Sequence, residues 1–129
     1  MRIIHLSDLH FGTEDESIVR ALHDAIVDLH PDYIVISGDF TQVASTKEFQ
    51  IASEFLDDLP CPFMCVPGNH DVPPFNLFER FFQPYKKFKK YISDDLCPVF
   101  ENEDVIIAGL NSASRAVPHW NWANGYISG

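Results

Sequence analysis

The chain has 129 residues, 46% of them hydrophobic and 22% charged, with a formal net charge of −10. That length makes at most one domain with a core of its own, and the composition is that of an ordinary globular protein. The charge sets the surface against nucleic acid, whose phosphates it repels, and no apolar run reaches the roughly 20 residues that a membrane helix needs.

The first element is a strand, Arg2-Ile3-Ile4-His5-Leu6, which closes on Ser7-Asp8-Leu9-His10. It follows Met1 directly, so no secretory leader is expected. Thr13-Glu14-Asp15-Glu16 has the form of a capping box, with Thr13 at the N-cap and Glu16 three residues on. Behind it, Ile18, Leu22, Ala25, Ile26 and Leu29 share one helical face. His23 and His30, on or just beyond this helix, read as surface residues. Pro31-Asp32 stops the helix and feeds a second strand, Tyr33-Ile34-Val35-Ile36, closing on Ser37-Gly38-Asp39. Ser45-Thr46-Lys47-Glu48 is another capping box, and Phe49, Ala52, Leu56 and Leu59 mark the apolar face of the helix it starts. Asp57-Asp58 opposes the dipole at the far end of that helix and reads as a solvated terminus.

Pro60-Cys61-Pro62 leads into a third strand, Phe63-Met64-Cys65-Val66, which closes on Pro67-Gly68-Asn69-His70-Asp71. Pro-Gly-Asn by itself is common turn chemistry. Val72-Pro73-Pro74 is a stiff link. The aromatics that follow, Phe75, Phe78, Phe81, Phe82, Tyr85, Phe88 and Tyr91, are expected as a core stripe of a helix that Pro84 must end or kink. Lys86, Lys87, Lys89 and Lys90 hold four of the nine basic residues. They make a solvated face, or a rim that draws in an anionic substrate. A hairpin is expected from Val99-Phe100 and the run 105–110, turning at Glu101-Asn102-Glu103-Asp104. The stretch 116–129 is loop-like, with Trp120, Trp122 and an Asn124-Gly125 turn. Of the three cysteines, Cys61, Cys65 and Cys97, the first two would sit roughly 13 Å apart along a strand, too far for a disulfide. Reduced, mostly buried thiols in a cytoplasmic protein are expected.

Three strands thus end in polar clusters, and 31 residues separate Asp8 from Asp39 and 30 separate Asp39 from Asn69. A strand, a crossover helix and the next parallel strand take roughly 30 residues or a little more. Asp8, His10, Asp39, Asn69 and His70 are therefore expected together at the carboxyl edge of a parallel sheet, where open α/β sheets bind their ligands. Two carboxylates, an imidazole and an amide oxygen, with no thiolate, suit Mn²⁺, Fe, Zn²⁺ or Mg²⁺ over softer metals. Asp39, from the middle unit, is placed to bridge two ions, and paired ions serve the hydrolysis of phosphate esters. Asp71 is a candidate to fix the tautomer of His70.

Asp8-Leu9-His10, Gly38-Asp39 and Gly68-Asn69-His70-Asp71, in that order and spacing, resemble the first three motifs of the calcineurin-like metallophosphoesterase family. The likeness takes in the flanking His5-Leu6-Ser7 and Ser37, and extends through Ala108-Gly109-Leu110-Asn111-Ser112. It implies the N-terminal half of a four-layer α/β/β/α sandwich, here one mostly parallel sheet with crossover helices plus a hairpin, its face towards the second sheet left apolar. It implies Asp8 and His10 on one metal, Asp39 bridging two, and Asn69 on the second, with two divalent ions in all and manganese favoured. His70 would then protonate the leaving group, oriented by Asp71. The implied activity is hydrolysis of phosphomonoesters or phosphodiesters by a metal-activated water, leaning towards the cyclic-nucleotide phosphodiesterases, on a small phosphate-ester substrate. The family completes its site with a Gly-His and a Gly-His-x-His motif, and neither occurs here; after His70 the one histidine is His119. The domain 1–129 is therefore expected to be incomplete at its C-terminal end, inclined to self-association, and weak in turnover. The alternative is a metal-binding or interaction module that keeps the fold without the chemistry.

Overall fold

The computed structural model of the protein describes residues 1–13 and 15–113. The three strands form at the expected places: β1 (Ile3–Leu6), β2 (Tyr33–Ser37) and β3 (Phe63–Val66) pair in parallel in the order β1-β2-β3. The crossovers are α1 (Glu16–Leu29) and α2 (Thr46–Asp57). Register sets the two sheet faces. Ile4, Leu6, Ile34, Ile36, Phe63 and Cys65 point to one side, where they join Ile26 of α1 and Phe49, Ala52 and Leu56 of α2 in the main core.

The other face carries Ile3, Tyr33 and Met64. It was expected bare, within a single sheet. Instead β4 (Val99–Glu101) and β5 (Ile106–Ala108) form a separate antiparallel sheet whose Phe100 ring stacks on Tyr33 at 4.0 Å. A Cβ on Gly109, just past β5, would meet Val66 Cγ1 at 2.6 Å. The hairpin thus buries Tyr33 and Met64 while Ile3 stays exposed. Cross-sheet packing of apolar side chains is favourable enough to recruit even two short strands.

The helix ends show which cap wins. For α2 the expected box forms: Ser45 accepts from Glu48 N and the Glu48 carboxylate accepts from Ser45 N. For α1 the cap is Asp15, not Thr13, with its carboxylate accepting from the amide and hydroxyl of Ser17. Thr13 turns back and donates to His10 O. A carboxylate caps at least as well as a hydroxyl, so the helix starts two residues later than a Thr13 cap implies. Its packing face is rotated too. Val19, Leu22 and Ile26 meet the core, whereas Ile18 and Leu29 are exposed. His30 is a surface residue in the left-handed C-cap (φ 48°). His23 is more than that: its Nε2 lies 2.9 Å from the Asp58 carbonyl and ties α1 to the end of α2.

Beyond Asp71 the chain forms α3 (Leu77–Phe82) and α4 (Lys86–Tyr91), separated at Pro84 as expected. The aromatic stripe divides at the same point. Phe88 is fully buried, against Phe40, and Tyr91 lies over Phe49. Phe75, Phe78, Phe81 and Phe82 are exposed, not core. Among the lysines, Lys87 is tied down by Glu79 and the Ala44 carbonyl, and Lys86, Lys89 and Lys90 are exposed. The thiols are free, but only Cys65 is buried, Cys61 being half-buried and Cys97 exposed. Trp120, Trp122, His119 and the 124–125 turn lie outside the described residues.

Candidate metal centre

The first two strands of the parallel sheet run into loops whose backbone bends at their polar residues. Asp8 (φ 55°), His10 (φ 47°) and Asp39 (φ 54°) all adopt the left-handed conformation that L-residues avoid. The first two loops stay in step beyond the sheet: Asp8 N donates to Gly38 O, His10 N to Asp39 O at 2.9 Å, and Phe11 N to Phe40 O at 2.7 Å. The third loop comes closer still. Gly38 (φ 83°) lies against Gly68, where a Cβ on Gly38 would sit 2.5 Å from Gly68 N, and one on Gly68 would fall inside the Asp39 carboxylate. Only two glycines allow the backbones to approach so nearly. The Gly before Asp39 and the Gly before Asn69 are there for that contact.

Under the loops lies Asp71, 1% exposed. One carboxylate oxygen accepts from the Thr41 amide and hydroxyl, both at 3.0 Å, and the other from Gly68 N at 2.9 Å and Phe40 N at 3.3 Å. Burial pushes this carboxyl up to about 6, against the downward pull of its four donors. Asp71 therefore clamps the second loop to the third. The tautomer-fixing bond at His70 Nδ1, expected of Asp71, is made by the carbonyl of Gln42 at 2.8 Å. A carbonyl only accepts, so Nδ1 carries the proton.

Above that clamp the side chains meet. His10, Asp39 and His70 each present a ligand atom, all within 4.8 Å of one another. The two imidazoles stand edge to face with centroids 4.8 Å apart. His70 N donates to Asp39 Oδ1 at 2.9 Å, which fixes the carboxylate. Asp8 flanks the group, its Oδ1 3.9 Å from His10 Nε2. Asn69 opens a 3₁₀ turn, Asn69–Asp71, and is half-buried beside it. His70 thus stands close against His10 and Asp39. His10 Nδ1 is buried with no hydrogen-bond partner among the described residues. An orphaned imidazole nitrogen next to a carboxylate and a second imidazole is a donor set that a divalent cation fits. Sequence reasoning did not single out Gln42, because a carbonyl has no residue signature.

A carboxylate–imidazole group on the loops at the carboxyl edge of a parallel α/β sheet stands where such folds place their ligands. The chain belongs to the calcineurin-like phosphoesterase family, whose model matches residues 1–126. That family generally uses divalent metals.

Among its relatives is a probable glycerophosphodiester phosphodiesterase of Arcobacter nitrofigilis, 29% identical over 89% of this chain and 45% of that protein. A probable cyclic nucleotide phosphodiesterase of Pseudoalteromonas is 37% identical over 60% of this chain and 34% of its own. A DNA double-strand break repair protein of Saccharolobus solfataricus is 34% identical over 57% of this chain and 23% of its own. The chain spans less than half the length of these relatives. No helix among the described residues is long and apolar enough to cross a membrane.

Proposed function

We propose that the protein is a metal-dependent phosphoesterase acting on small phosphodiesters, in the cytoplasm. The observation that carries this is the meeting of His10, Asp39 and His70 within 4.8 Å at the carboxyl edge of the sheet. Asp8, His10, Asp39 and Asn69 would hold the ions, with Asp39 shared between two and manganese the favoured metal. Bound there, divalent ions supply a Lewis acid and lower the pKa of water. The chain's own part is to orient and to move a proton. Asp39 is fixed by the His70 amide. With Nδ1 held by Gln42, a proton taken up at Nε2 is the one that His70 can give to a leaving oxygen. A small diester is proposed because two of the relatives carry such substrates in their names, and a net charge of −10 repels a polyanion.

The test pairs calorimetric titration of Mn²⁺ with hydrolysis of bis(4-nitrophenyl) phosphate. Asp39→Ala should lose both binding and turnover. His70→Ala should keep the metal and lose about 10²–10⁴-fold in kcat, the usual worth of a general acid. Turnover that survives in Asp39→Ala, or no ion bound by the wild type, overturns the proposal. The second reading, a metal-binding module without turnover, is favoured by one fact: a single group of three possible ligands occurs among the described residues. It predicts one tight ion and no hydrolysis.

A further inference from the structure

We infer that Glu48 is a positioning residue for His70, acting through the peptide group that joins Gln42 to Val43; the inference rests on His70 being a functional side chain of the proposed site. Glu48 is 7% exposed, at the first turn of α2. Its Oε2 accepts from Ser45 N at 2.9 Å, the ordinary bond of a capping box. The same oxygen also accepts from Val43 N at 3.2 Å, which helix capping does not require. Val43 N and Gln42 O belong to one peptide unit. A trans peptide aims its N–H and its C=O in opposite directions. Glu48 therefore holds one end of that unit while its other end accepts from His70 Nδ1 at 2.8 Å. The result is a line of carboxylate, peptide and imidazole.

Two physical effects run along the line. A hydrogen bond to a carboxylate is stronger than one to a neutral acceptor, so the peptide plane is firmly set. Polarising the N–H also makes the carbonyl a better acceptor, which strengthens its hold on Nδ1–H. The carboxylate is itself fixed. Its backbone is the first turn of a helix, and a Cβ on Gly12 would come within 2.7 Å of its Cγ and Oε1, so the loop that carries His10 closes over it. One side chain on α2 thereby touches the first loop and orients, through the second, the imidazole of the third.

The experiment reads the tautomer of His70 by side-chain ¹⁵N NMR at pH 8, on metal-free protein in chelator. Wild type should show the Nδ1–H form. In Glu48→Ala the freed peptide loosens the Nδ1–H bond, and the ratio of Nδ1–H to Nε2–H should fall about two- to tenfold, the fold-change that losing that hydrogen bond represents. Glu48→Gln keeps an acceptor oxygen and should restore the ratio, while its lost charge moves the Val43 amide proton upfield. Ser45→Ala removes the other half of the cap and should leave the tautomer alone. A folded Glu48→Ala with an unchanged ratio overturns the inference, as does Ser45→Ala mixing the tautomers equally. If Glu48→Ala does not fold, an unmoved Val43 amide in Glu48→Gln overturns it instead. None of this needs turnover. An inactive chain with the expected ratios sinks only the phosphoesterase reading, and an active one with unchanged ratios sinks only the role of Glu48.

Discussion

The buried carboxylate of Asp71 gives the sharpest prediction. Its two oxygens divide four donors in pairs, Thr41 N and Thr41 Oγ1 on one, Gly68 N and Phe40 N on the other. Asp71→Asn keeps one acceptor and replaces the other with an NH₂. If the amide faces Gly68 and Phe40, two backbone N–H groups meet a donor. If it faces Thr41, the hydroxyl can rotate but the Thr41 amide cannot. The cheaper orientation leaves one donor unpaired in a buried place, so a loss of about 1–3 kcal/mol is expected. Asp71→Ala strands the three backbone donors and leaves a void, the Thr41 hydroxyl keeping the His70 carbonyl at 3.0 Å, and should reach about 4–5 kcal/mol, the top of what single changes produce. Against a whole stability of about 5–15 kcal/mol, either is large. Urea unfolding in chelator at pH 8, well above the about 6 to which burial raises this carboxyl, reads the effect without metal linkage. The exposed Asp58→Asn serves as the control. Asp71→Asn within about 0.5 kcal/mol of wild type, the range of a surface change, would refute the clamp.

The remaining predictions concern metal, packing and thiols. Asp39→Ala should lower bound manganese more than Asn69→Ala does, by elemental analysis after dialysis; equal retention counts against a bridging Asp39. Gly68→Ala should depress the melting temperature and metal uptake together, because its Cβ would fall inside the Asp39 carboxylate, and an unchanged melt would show that the two loops can separate freely. With a thiol reagent Cys97 should react first and Cys61 more slowly. Cys65, buried and with its thiol pushed up to about 12, should react only on unfolding. Equal rates for Cys65 and Cys97 would contradict the burial.

The strand ends were the legible part of the chain. Short apolar runs, a spacing of one crossover unit and three polar tips suffice to put Asp8, His10, Asp39, Asn69 and His70 at one edge, and the structure brings His10, Asp39 and His70 into contact there. The roles of those residues need more than a pattern. Asp71 looks like a partner for His70 in sequence because the two are adjacent. In a 3₁₀ turn, neighbouring side chains diverge, and its carboxylate falls beneath the loops. The aromatic run shows a different limit. Periodicity says which rings share a helix face, but not whether anything lies opposite, so Phe88 and Phe78 look alike until tertiary packing separates them. The capping-box pattern at Thr13 hides the better cap two residues on, because a carboxylate outranks a threonine hydroxyl at the N-cap. The Gln42 carbonyl left no trace at all, since every residue has one.

Of the five non-glycine residues in the left-handed region among the described residues, the three at the site carry a running cost for the cell. At about 1–3 kcal/mol each, Asp8, His10 and Asp39 hold back a sizeable share of a stability of about 5–15 kcal/mol. An ion that binds only the folded loops returns about 2.7 kcal/mol once it is present at 100 times its dissociation constant. Chaperones and proteases sort chains by the fraction unfolded, and a change of 1–2 kcal/mol alters abundance several-fold. With the site as proposed, the supply of the metal sets how much of the protein survives as well as how fast it works. A cell starved of that ion would be short of the polypeptide before it was short of its message, a difference that a pulse-chase in chelated medium would show directly.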